Sequence, residues 1–160
     1  MTFLVFSFVL GLIIGSFLNS LIYRLALPSF SLKNLDGLKG RSFCPDCKKE
    51  LGILDLIPVL SFIFLKGKCR YCQKPISWQY PLVELATGII FILIFNFSAF
   101  AQGFGGLRLF EAPQFLNLVY LLIISSFLIV IFVFDLKHYL IPDEIVYSGI
   151  AVSTLYRFFE

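Results

Sequence analysis

Charge is scarce in this chain. Asp, Glu, Lys and Arg make up 14% of its 160 residues, against 59% hydrophobic residues. An ordinary soluble domain carries about 25% charged residues, so this composition excludes both a typical water-soluble globule and a disordered polar chain. Histidine occurs once, which rules out a metal site built on several imidazoles. No Lys or Arg precedes Arg24, so the apolar amino terminus lacks the basic region of a secretory signal and reads as a retained helix. There is no Gly-rich phosphate loop and no recognisable methyl-donor motif, which leaves nucleotide chemistry without a sequence handle.

What is abundant is apolar length. Twenty phenylalanines and 18% aromatic residues overall are distributed over runs of membrane-spanning size. A helix of roughly 20 apolar residues crosses the hydrocarbon core. Residues 3–23, 82–100 and 115–134 meet that length, and a fourth apolar segment opens at Ile145. Lipid offers no partner for backbone N–H and C=O groups, so open sheets are excluded and helices are expected. The expected fold is therefore an all-α polytopic membrane protein, a helical bundle. Its organisation reads as a first transmembrane helix at 1–23, a polar loop domain at 24–80, and further transmembrane helices over 81–160. Small residues at Gly11, Gly15, Ser16 and Ser20 would let a neighbouring helix approach the first span closely.

The loop domain carries the four cysteines of the chain in two pairs, Cys44-Pro-Asp-Cys47 and Cys69-Arg-Tyr-Cys72. Each CxxC pair presents two thiolates at the reach of one tetrahedral ion, and two pairs complete a Cys₄ zinc site. Four thiolates leave no coordination position for water, so the expected zinc is structural rather than catalytic. Compartment agrees with this reading. Residues 24–80 hold ten of the thirteen basic residues against four acids, a net charge of +6. The positive-inside rule then places the loop in the cytoplasm, where a reducing environment favours metal over disulfides. The same rule accounts for the basic charge without nucleic acid, leaving membrane lipid as its expected neighbour.

Between the knuckles, the apolar run at 57–65 is too short to span. Pro58 argues against a continuous helix there, so the run is expected at the membrane interface or packed under the zinc module. Pro28 and residues 29–40 read as irregular connector. Trp78 and Tyr80 suit the headgroup level, and Pro81 suits the first turn of the next helix. The third span ends at Asp135, on the same side as the cysteine loop if the spans alternate. Beyond it, Pro142 breaks the helix and Asp143 is placed to cap the next one, with Glu144 in its first turn. Glu84, an acid near the start of the second span, has two open readings: a residue favoured by the helix dipole, or a functional group. His138 reads as a solvated boundary residue.

The stretch Gly15-Ser16-Phe17-Leu18-Asn19-Ser20-Leu21-Ile22-Tyr23-Arg24-Leu25 resembles the amino-terminal signature of prepilin leader peptidases. So do Ile57-Pro58-Val59-Leu60-Ser61, Gly67-Lys68-Cys69-Arg70-Tyr71-Cys72 and Ile76-Ser77-Trp78-Gln79-Tyr80-Pro81-Leu82-Val83-Glu84, in the family's order and spacing. The segment from Asp135 to Ile141-Pro142-Asp143 looks like the family's first catalytic aspartate region. The resemblance implies a polytopic aspartic endopeptidase of the bacterial cytoplasmic (inner) membrane. Such enzymes remove the leader of type IV prepilins and type II secretion pseudopilins after a glycine. Many also methylate the exposed amino terminus with S-adenosylmethionine. By the same resemblance Asp135 is the first catalytic aspartate, and Cys44, Cys47, Cys69 and Cys72 are the zinc ligands. Which residues would bind the methyl donor is left open.

The family's second catalytic aspartate stands in a Gly-x-Gly-Asp motif, which residues 1–160 do not contain; Gly103-Phe104-Gly105-Gly106 carries no aspartate. The expectation is an amino-terminal part of such an enzyme, inactive alone. A different class also stays open: a non-enzymatic membrane zinc module that docks pilus-assembly or secretion components.

Overall fold

The computed structural model describes residues 2–26, 41–101 and 112–159. The expected connector at 28–40 and the Gly103–Gly106 run lie outside the described residues. The architecture is helical: α1 (Thr2–Leu25), α2 (Leu60–Phe64), α3 (Gln79–Ala101), α4 (Ala112–His138) and α5 (Asp143–Phe159), with a 3₁₀ turn at Ile53–Asp55. Among the described residues, three helical segments are long and apolar enough to cross a membrane: Phe3–Leu25, Gln79–Ser98 and Pro113–His138. The cysteine pairs sit between α1 and α3, in a small module whose extended pairing, among the described residues, is two isolated bridges.

The helix boundaries follow from local chemistry. The α3 helix begins at Gln79, three residues before the apolar run. Pro81 therefore falls within the first turn, where its missing N–H would have had no intrahelical partner. At the other end, α4 continues past the apolar run to His138. Lys137 and His138 in that last turn complement the carbonyl end of the helix. Asp143 is not the cap of α5. The Pro142 carbonyl accepts the N–H groups of Ile145 and Val146 at 3.0 and 3.2 Å, so Pro142 stands at the cap position. Asp143 and Glu144 occupy the first turn, where their charge still suits the helix dipole.

The helices meet on a core of Leu18 and Ile22 from α1, Val83 from α3, Ile129, Val130 and Phe134 from α4, and Ile145 from α5. Their outward faces keep Phe6, Phe17, Leu93, Leu128 and Phe132 exposed, as expected of side chains that face lipid. The tightest packing is between α1 and α3. A Cβ at Gly11 would lie 2.6 Å from Gly88 Cα, and one at Gly88 would lie 2.7 Å from the Phe8 ring. Glycine is therefore favoured at Gly11 by the nearness of the Gly88 backbone and at Gly88 by the nearness of the Phe8 ring, rather than by backbone conformation. Gly11→Val is expected to push α1 off α3 at a cost of about 1–3 kcal/mol, read as a lowered unfolding temperature in detergent. An unchanged transition would mean that the two helices do not pack through this face.

Candidate functional site

Each cysteine pair forms the tip of a tight loop, and the two loops are built alike. In the first, Cys44 N–H donates to the Lys49 carbonyl (3.0 Å), Lys48 N–H to the Cys44 carbonyl (2.9 Å) and Leu51 N–H to the Ser42 carbonyl (2.8 Å). In the second, Cys69 N–H donates to Lys74 (2.8 Å), Gln73 N–H to Cys69 (3.0 Å) and Ile76 N–H to Gly67 (2.7 Å). Lys48 and Gln73 occupy the same position in each loop and both take positive φ, 58° and 60°. That conformation turns the chain back after the second cysteine of each pair, so all four sulfurs face a common point.

All four Sγ atoms lie within 4.8 Å of one another, with Cys44 and Cys72 at 3.9 Å. A tetrahedral ion with sulfur ligands at 2.3 Å spaces them about 3.8 Å apart, so the donor set fits one such ion. No disulfide joins them. Backbone N–H groups reinforce the sulfur charge. Those of Cys72 and, more weakly, Tyr71 hold the Cys69 thiol down to about 7, against burial, which raises it. At Cys72 the Lys74 N–H lowers the pKa, but burial and the neighbouring thiols together push it up to about 11. Four thiolates so close repel one another, and a cation among them removes that conflict.

Side chains tie the two loops into one body. Lys74 Nζ reaches from the second loop to Asp46 Oδ1 of the first at 2.7 Å. Lys49 lies over the Tyr71 ring, 4.5 Å from its centre. Asp55, on the 3₁₀ turn between the loops, pairs with Arg70 Nε at 2.7 Å. It also accepts the Tyr71 hydroxyl at 3.2 Å and the Gly52 N–H at 3.1 Å. Because the Asp55 side chain is buried, these donors hold it as an internal strut rather than a surface ion pair.

The module is fixed to the bundle by two polar side chains. Glu84 is buried in α3, and its Oε2 accepts the Val59 N–H at 2.7 Å. Val59 has φ 60° and ψ −48°, and Leu60 N–H reaches back to the Pro58 carbonyl at 2.6 Å. This is a γ-turn centred on a β-branched residue, a strained arrangement costing on the order of 1–3 kcal/mol. The hydrogen bond that Val59 N–H donates to Glu84 offsets part of that strain. Neither reading open for Glu84 describes this contact: the side chain lies past the first turn of α3 and tethers the module to the helix. Asn19, buried in α1, donates from Nδ2 to the Tyr80 carbonyl at 3.0 Å, and its Oδ1 has no hydrogen-bond partner.

A cavity of about 420 Å³ opens between the module and the ends of α1 and α3. Asn19, Tyr23, Arg24, Cys44, Glu84 and, from α4, Lys137 are among its lining residues. Lys137 therefore brings the α4 end that carries Asp135 to the same end of the bundle as the cysteines. Asp135 itself is exposed in the last turn of α4, and its carbonyl accepts the Tyr139 N–H at 2.8 Å. His138 is less solvated than its boundary position suggests. Its ring packs on Phe134 with centres 4.5 Å apart, and Nε2 is buried without a hydrogen-bond partner.

These features define a helical membrane protein with a four-cysteine module mounted on its first two spans. Comparison with known proteins gives the family. Residues 9–97 match the bacterial peptidase A24 N-terminal domain, and the chain belongs to the prepilin leader peptidase/N-methyltransferase family. It is 36% identical over 156 residues to a prepilin leader peptidase/N-methyltransferase of Myxococcus xanthus, covering 98% of this chain and 41% of that protein. It is 47% identical over 88 residues to one of Klebsiella pneumoniae, covering 55% of this chain and 39% of the relative. A type 4 prepilin-like proteins leader peptide-processing enzyme of Escherichia coli is 38% identical over 149 residues, 83% of this chain and 49% of its own length. The chain thus spans about 39–49% of the length of these relatives. No solved structure matches it.

Proposed function

We propose that this chain is the zinc-module and first-aspartate part of a membrane aspartic endopeptidase that removes prepilin or pseudopilin leaders at the cytoplasmic face of the bacterial inner membrane. The observation that carries the reading is spatial. The Asp135 end of α4, the four-cysteine module and the cavity share one end of the bundle, in a chain of the prepilin peptidase family. The domain division at 1–23, 24–80 and 81–160 is proposed with it.

In this mechanism Asp135 is one of two carboxylates that share a proton. One takes a proton from the attacking water while the other, kept protonated by like-charge repulsion, donates to the scissile carbonyl. The second acid is the one the family carries in Gly-x-Gly-Asp. Cys44, Cys47, Cys69 and Cys72 would hold a zinc ion whose role is to staple the module, with no position open for water. Methylation of the new amino terminus fits the cavity beside Asn19, Tyr23, Arg24 and Glu84, whose size suits a small-molecule cofactor. S-adenosylmethionine would be held there, where the buried Asn19 Oδ1 waits for a donor; when bound it supplies the methyl group.

The test is a chimera in which this chain replaces the matching part of the Myxococcus xanthus relative, incubated with a prepilin in vesicles. Mass spectrometry is expected to show leader loss after glycine, with a methyl group added when S-adenosylmethionine is present. Prepilin binding without any cleavage would instead support the non-enzymatic docking module.

A further inference from the structure

The short helix between the knuckles is apolar on its outside. Leu60, Ile63 and Phe64 of α2 are 51%, 61% and 78% exposed, and the nearby Trp78 is 68% exposed. The preceding 3₁₀ turn adds Ile53 and Leu54, both exposed. On a module surrounded by water this would be an unfavourable patch of large side chains. Its depth decides the matter. The Val59 N–H that opens α2 is bonded to Glu84 Oε2, and Glu84 lies five residues into α3. That is about 7.5 Å along the helix axis at 1.5 Å per residue, inside the segment long and apolar enough to span. Phe62, on the inner side of α2, packs on the Trp78 ring with centres 4.9 Å apart, which holds α2 beside the entry of α3. Lys66 and Lys68, both exposed, follow the apolar face directly. Apolar side chains at boundary depth followed by lysines is the arrangement of an interfacial helix on an anionic membrane.

We propose that α2 is a membrane-interface anchor. Leu60, Ile63, Phe64 and Trp78 enter the headgroup–acyl boundary of the bilayer that α3 crosses, Lys66 and Lys68 face anionic headgroups, and Glu84 sets the depth. The strained γ-turn at Val59 then has a use: it reverses the chain sharply enough to lay α2 on the bilayer. The cysteine module is held against the membrane surface at two points, its α1/α3 attachment and α2.

The chain has a single tryptophan, which makes the test direct. In a Trp78→Phe background, Ile63→Trp and Phe64→Trp each place one fluorophore on α2. Each is reconstituted in anionic vesicles with brominated acyl chains, and helical circular dichroism verifies that it has folded. The expected result is blue-shifted emission, quenched several-fold by the brominated lipid and little affected by aqueous iodide. Red-shifted emission quenched by iodide and not by bromine would overturn the proposal, because the face would then lie in water. Emission reached by neither quencher would also overturn it, because a protein surface would then cover α2. Either variant alone decides the question if the other fails to fold.

Discussion

Replacing Cys44 by serine is expected to release the metal and unfold the cysteine module while the spanning helices remain. Cys44 is buried, and its backbone N–H and carbonyl both close the first loop. Its sulfur stands 3.9 Å from that of Cys72, so the loss removes one of the four sulfurs proposed to hold the ion. Structural zinc contributes on the order of 10–16 kcal/mol in small Cys/His modules, far more than the surface ion pairs that also join the two loops. Asp46, Asp55 and Tyr71 cannot substitute for that contribution. Metal analysis is expected to fall from one zinc per chain to near zero. Protease cleavage should then appear between residues 41 and 76, with helical circular dichroism from the spans largely kept. A variant that keeps both its zinc and its protection would show that the four thiols are not the ligand set.

Asp135→Asn is expected to stop leader cleavage in the chimera without affecting membrane insertion. The side chain is exposed and outside the core of Leu18, Ile22, Val130 and Phe134, so the amide change should cost little stability. Its effect would be chemical: an amide can neither accept the proton of the attacking water nor share one with a second carboxylate. Loss of a positioned acid–base group lowers rates by about 10²–10⁴-fold, and loss of half of a shared-proton pair belongs at the upper end of that range. The expected kinetic pattern is a collapse of kcat with prepilin binding retained.

The parts of the fold that were legible in the sequence are those fixed by short-range pattern. Apolar length gave three spans, which the structure extends at their ends because Pro81 needs no N–H partner in a first turn and because Lys137 and His138 suit a last one. The CxxC spacing pointed to one four-sulfur cluster, and the positive φ of Lys48 and Gln73 is the backbone device that achieves it. The break at Pro58 was also readable. The tertiary tethers were not. Nothing in the spacing of Val59 and Glu84 indicates that the N–H of one meets the carboxylate of the other across 25 positions. Nor does composition reveal that Asn19 bonds to the Tyr80 carbonyl, or that Asp55 gathers Arg70, Tyr71 and Gly52. Polar contacts of this kind depend on how loops return to the bundle, which local periodicity does not encode. Asp143 shows the converse error: its residue type suggested a cap, but the Pro142 carbonyl had already taken that position.

The most direct test of the peptidase account compares two acids at the same end of the bundle. Leader-cleavage rates are measured side by side for Asp135→Asn and Asp143→Asn in the Myxococcus xanthus chimera. Asp135→Asn should leave no measurable cleavage, and Asp143→Asn, which changes only a first-turn acid of α5, should cleave at close to the unmodified rate. Near-normal cleavage by Asp135→Asn would contradict the account and remove that residue from the chemistry.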